Sequence, residues 1–97
     1  MAGSSERVEY VISHISSAAR AFLKKHRDQT TRDKVKEAYE IICRTPLHYQ
    51  KRIRPIKGKY KGEYRYRFGG IRIHYSVNGA DRTIQILNID KRGDITY

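Results

Sequence analysis

Cysteine, tryptophan and, over one central stretch, acidic residues are the shortages that first narrow what this chain can be. Cys43 is the single cysteine among 97 residues, so no internal disulfide can form and an oxidising compartment is not implied. It stands beside Tyr39, Ile41 and Ile42, the setting of a buried inert thiol rather than of a nucleophile. Tryptophan is absent and tyrosine supplies eight of the ten aromatic residues. A tyrosine ring packs while its hydroxyl needs a partner, which suits a half-wet core. No apolar run approaches the ~20 residues that would span a bilayer. The opening Met-Ala-Gly-Ser-Ser-Glu lacks the basic flank and apolar centre of a signal peptide. The expectation is a cytoplasmic protein without a membrane partner, in which residues 1–6 are a disordered or added tail. His14, His26 and His48 show no metal-ligand spacing, so neither a metal nor another cofactor is expected.

The scarcity of acids is local. The formal net charge is +11, and residues 51–75 carry nine Lys/Arg against Glu63 alone. Residues 1–50 hold nine Lys/Arg against six Asp/Glu, and residues 76–97 balance three against three. An excess concentrated in one segment is the footprint of a polyanion-binding surface rather than of general solubilisation. The length suits one small domain with a single thin core, spanning residues 1–97.

Residues 8–15 are rich in β-branched and aromatic side chains and read as a strand, although helical spacing also fits them. Ser16-Ser17 caps a helix over roughly 17–26. Thr30 or Thr31 caps a second helix with Val35, Ala38, Tyr39 and Ile42 on its apolar stripe, ended by Pro46. Residues 47–62 read as an exposed basic loop carrying Lys51, Arg52, Arg54, Lys57, Lys59 and Lys61. Strands follow at about 63–68, 71–77 and 83–90, joined by Gly69-Gly70 and by Asn78-Gly79-Ala80-Asp81. The order predicts an α+β fold, with a helical hairpin packed on one face of an antiparallel sheet of about four strands.

Side chains on a strand alternate between faces with period two. In Glu-Tyr-Arg-Tyr-Arg-Phe-Gly-Gly-Ile-Arg-Ile-His-Tyr, residues 63–75, Tyr64, Tyr66, Ile71, Ile73 and Tyr75 take the covered face. Arg65, Arg67, Arg72 and His74 take the open one, and Lys91-Arg92 follows the last strand. Arginine grips phosphate through a planar fork and keeps its charge. Mixed with exposed tyrosines, such a face favours single-stranded nucleic acid, whose bases stack.

The run from Arg54 to Tyr75, then Ile84 to Tyr97, resembles the RelE/ParE toxin superfamily of toxin–antitoxin systems, and Ser16 to Lys25 is similar to the start of that family's first helix. The resemblance covers nearly the whole chain from about Val8 and implies a RelE-like fold. RelE-like members cut mRNA on the ribosome, whereas ParE-like members poison DNA gyrase. The RelE-type site resembles this chain at Arg65 and Arg67 on one strand, Arg72 on the next, then Arg92 and Tyr97. That set implies a ribosome-dependent endoribonuclease. It also implies a cognate antitoxin, action on mRNA and rRNA in the ribosomal A site, and a toxin–antitoxin complex that binds operator DNA. The alternatives are a gyrase-poisoning toxin and a non-catalytic RNA-binding module.

The implied reaction is attack of an RNA 2′-hydroxyl on the adjacent phosphate, which needs a base, positive charge and an acid. Arg65, Arg67 and Arg72 would stabilise the phosphorane, Arg92 would serve the leaving group and Tyr97 would stack on or orient a base. Lysine occupies the slots of Arg65 and Arg67 in the best-known pattern, and arginine is no general base. His74 is the nearby side chain able to accept a proton near neutrality. Three roles stay open for it: base, phosphate ligand, or bystander to a base supplied by the ribosome or the RNA. Lys51, Arg52, Arg54, Lys57, Lys59, Lys61 and Lys91 are the expected RNA-binding cations.

Overall fold

A computed structural model describes residues 9–47, 49–56 and 62–91 of the chain. The elements are β1 (Val11–Ile15), α1 (Ser17–Lys25), α2 (Gln29–Arg44), β2 (Ile53–Pro55), β3 (Glu63–Phe68), β4 (Ile71–Asn78) and β5 (Thr83–Lys91). The strands form one sheet in the order β1-β5-β4-β3-β2, with the two helices on one face. The fold is α+β as expected, but the sheet has five strands rather than about four. It is also mixed, because β1 runs parallel to β5 while the other neighbours are antiparallel. The helical hairpin carries the chain back across the sheet before the meander begins, leaving β1 free to enter alongside β5 in the same direction.

The fifth strand comes from the segment expected to be loop. Ile53 is buried to 1% exposure between two arginines and pairs with Tyr66, so a single apolar anchor draws β2 onto the edge of β3. Pro55 is tolerated there because an edge strand leaves one row of backbone groups unpaired. Lys57, Lys59 and Lys61 lie outside the described residues, as do Arg92, Tyr97 and residues 1–6.

Both helices begin at an oxygen-bearing side chain. Ser16 caps α1 by accepting from the Ala19 N–H at 3.1 Å, and its hydroxyl donates to the Leu87 carbonyl at 2.6 Å. It therefore ties the helix start to β5 as well as closing it. The cap of α2 is Asp28, not a threonine: its carboxylate accepts from both the N–H and the hydroxyl of Thr31. An ionised carboxylate also suits the positive end of a helix dipole. Those bonds hold the Asp28 carboxyl below its ordinary value.

Ile42, Ile53, Ile71, Ile73, Ile84 and Ile86, with Tyr66 and Tyr75, are almost wholly buried between sheet and helices. Tyr75 donates to the Pro46 carbonyl at 2.6 Å, which satisfies its hydroxyl inside the core, and burial pushes that phenol far up. Cys43 is half-buried rather than buried as expected, and its thiol is pushed up chiefly by burial. Gly69 and Gly70 take φ of +65° and +83°, conformations that L side chains resist, and so close the tight β3–β4 turn.

Candidate nucleic-acid interface

The sheet face away from the helices carries the cations, and strand register sets them in rows. Arg54 of β2 pairs with Arg65 of β3, Arg65 with His74 of β4, and His74 with Asn88 of β5. In the next row Arg67 pairs with Arg72, and Arg72 with Asp90. Residues directly opposite one another in antiparallel strands hold their Cβ atoms about 4.5–5.5 Å apart. The alternation thus brings together four of the expected residues, Arg65, Arg67, Arg72 and His74, with Arg54 beside them.

A groove of about 420 Å³ is lined by Lys51, Arg52, Arg54, Arg65 and Arg67. No acid among the described residues lines it, so the groove concentrates positive potential against any polyanion that enters. Arg54, Arg65 and Arg67 are exposed, whereas Arg72 is half-buried. The Arg72 Nε is buried without a hydrogen-bond partner among the described residues. A buried charged donor costs free energy until an acceptor reaches it, and a phosphate oxygen over the face is one such acceptor.

Arg52 belongs to this groove only in part. Its guanidinium lies 3.4 Å from the Phe68 ring centroid and 5.5 Å from that of Tyr49. Its Nη1 donates to the Tyr66 hydroxyl at 3.4 Å and sits 3.8 Å from Glu37 of α2. These contacts face the helical side, so much of its charge is engaged in holding the β2 edge to the core. Among the described residues, the large aromatic ring exposed near the groove is Phe68, at 48%, and Arg52 covers it. The described tyrosines are all buried or half-buried, contrary to the expectation of stacking tyrosines on the open face.

Lys91 does not join the open face either. It pairs with Ile71 and its ammonium donates to the Thr31 hydroxyl at 3.1 Å, on the helical side. The cause is a register shift between His74 and Tyr75 that leaves Leu87 without a partner. One extra residue reverses the alternation of everything after it. Before the shift Ile84 and Ile86 face the helices; after it Ile89 and Lys91 do, and Asn88 and Asp90 turn to the cations.

The sequence reading passed over Glu63. Its Oε1 lies 2.7 Å from the His74 Nε2, at side-chain exposures of 20% and 38%. The period-two alternation already put Glu63 on the arginine face, and only the β3–β4 register was needed to bring it diagonally against His74.

The family described as the ParE toxin of type II toxin–antitoxin systems, parDE, matches residues 14–96. Several solved structures share the fold. The toxin–antitoxin complex RelBE2 from Mycobacterium tuberculosis superposes with a TM-score of 0.74 at 26% identity, covering 92% of this chain and 98% of that one. The archaeal RelE–RelB complex from Pyrococcus horikoshii gives 0.71 at 26% identity, covering 90% and 99%. The RelB–RelE complex from Methanococcus jannaschii gives 0.61 at 28%, covering 82% and 91%. No curated protein sequence matches the chain.

Proposed function

Because this chain belongs to the ParE toxin family, within the RelE/ParE superfamily of type II toxin–antitoxin toxins, we propose that it is the member type that cleaves translated mRNA on the ribosome. The observation that carries this reading is the register that sets Arg54, Arg65 and His74 in one row and Arg67 and Arg72 in the next. A surface that only inhibits a protein target needs no such concentration of phosphate ligands around a titratable side chain. Similarity to structures named as RelE toxins in complex with RelB supports the same direction.

In this mechanism the groove of Lys51, Arg54, Arg65 and Arg67 tracks the RNA backbone, with Arg52 at its edge. Arg65, Arg67 and Arg72 surround the scissile phosphate, and their fixed positive charge stabilises the phosphorane more than the starting diester. His74 takes the 2′-hydroxyl proton as the O2′–P bond forms. The P–O5′ bond breaks, and the leaving oxygen gains a proton, leaving a 2′,3′-cyclic phosphate and a 5′-hydroxyl. The family resemblance would assign Arg92 to the leaving group and Tyr97 to the base, both outside the described residues. The cognate antitoxin carries an acidic segment that matches the charge of the same groove.

Induction of the chain without its antitoxin, with 5′ ends of a translated message mapped before and after, tests the proposal. New ends inside codons support it. Growth arrest with intact messages and cleaved gyrase–DNA complexes would move the chain to the gyrase-poisoning type.

A further inference from the structure

We propose that Glu63 is a positioning residue for His74, fixing which ring nitrogen acts as the base in RNA cleavage; this rests on the mRNA-cleaving reading above. The geometry is a 2.7 Å contact between Glu63 Oε1 and His74 Nε2. An ionised carboxylate can only accept, so Nε2 carries the hydrogen in this bond. In a neutral imidazole the lone pair then belongs to Nδ1, and Nδ1 becomes the basic atom. The carboxylate selects a tautomer, restrains the ring, and stabilises the imidazolium that forms when Nδ1 accepts a proton.

The surroundings make such a partner necessary. Arg65 lies directly across the ladder from His74, Arg72 shares its strand and face, and Arg67 and Arg54 stand in the neighbouring positions of β3 and β2. All four set fixed positive charge around the ring. From β5, Asn88 faces His74 and Asp90 faces Arg72. Glu63 is the acid that the structure sets in contact with the histidine, and it is the only acid in the stretch from residue 51 to residue 75. A site of arginines thus gains the proton acceptor that arginine cannot supply.

The proton balance is complete without a metal or co-reactant. Nδ1 takes the 2′-hydroxyl proton, O2′ bonds to phosphorus, the P–O5′ bond breaks and O5′ takes a proton from water. His74 then returns its proton to solvent.

The test is single-turnover cleavage of a defined message on purified ribosomes across a pH range, with full-length wild type, Glu63→Gln, Glu63→Ala and His74→Ala. Glu63→Gln keeps an acceptor for Nε2 and removes only the charge. Thermal unfolding of each variant shows that it is folded. The rate is expected to fall on the order of tenfold in Glu63→Gln, further in Glu63→Ala, and about 100-fold or more in His74→Ala. The shape of the pH–rate profile should differ from that of the wild type in both Glu63 variants, and saturation with ribosomes should be unchanged.

A wild-type rate and profile in both Glu63 variants, with His74→Ala impaired, would overturn the positioning role and leave the cleavage reading intact. So would a rate lost without any change of profile, which is the mark of a merely structural contact. Absence of cleavage by the wild type would instead remove the underlying reading, and this inference with it.

Discussion

Arg67 stands directly across the β3–β4 ladder from Arg72. Like charges in opposed positions destabilise a sheet, by about 0.2–1 kcal/mol relative to a neutral pair. Such an arrangement trades stability for a charge density that becomes favourable once phosphate is bound. Arg67→Ala should therefore unfold at the same temperature as the wild type or slightly above it, while RNA cleavage falls. Its RNA binding should also lose ~0.7 from the log–log salt slope, the share of one single-strand phosphate contact. Calorimetry and salt titrations of RNA affinity check both halves, and a clear loss of stability in this variant would contradict the argument.

Arg52 and Arg54 should separate in the opposite sense. Arg52 stacks on Phe68, bonds Tyr66 and approaches Glu37, so Arg52→Ala should lose about 1–2 kcal/mol of folding stability. Arg52→Lys should recover little of it, because an ammonium lacks the planar face that covers the ring. Arg54 is exposed on an edge strand, and Arg54→Ala should stay within about 0.5 kcal/mol of wild type while weakening RNA binding. Urea unfolding midpoints distinguish the two.

The difference between these neighbours shows where sequence reasoning reached and where it stopped. The alternation in residues 63–75 was legible because both its strands are amphipathic and a Gly-Gly turn with positive φ joins them. It placed Arg65, Arg67, Arg72 and His74 on one face correctly. The Ser16 cap was legible because capping is local. What failed depends on pairing. β2 rests on Ile53 alone, which a basic run hides. The parallel entry of β1 leaves no trace in periodicity. Lys91 follows the alternation until one unpaired residue, Leu87, reverses it. Glu63 and His74 meet only when the register of two strands is known.

Ser16 joins a helix start to a strand, and its loss should be felt in both. Ser16→Ala removes the acceptor for the Ala19 N–H and the donor to the Leu87 carbonyl, at a cost of about 1–2 kcal/mol. Hydrogen exchange should show faster opening at the start of α1. Ser16→Asp, which keeps an acceptor but loses the donor, should recover the cap alone.

Asp28 predicts an acid-side dependence of stability. Its folded-state carboxyl is held below the ordinary value of 3.8 by the bonds from Thr31. A depressed carboxyl contributes stability that is fully present above the unfolded value and is lost as pH falls through the folded one. Stability should therefore decline below about pH 4 in the wild type. That decline should be shallower in Asp28→Asn. Unfolding midpoints from pH 7 to pH 2 measure it, and parallel curves would show that the cap does not titrate as described.

The central claim is that the arginine face of β3 and β4, with His74, cleaves RNA by internal attack. The most direct measurement is the chemistry of the ends left on a single defined message in a purified translation system. The account predicts a 2′,3′-cyclic phosphate upstream and a 5′-hydroxyl downstream, with cleavage lost in Arg72→Ala and strongly reduced without ribosomes. A message left intact while translation stops, or cut to leave a 5′-phosphate, would contradict it.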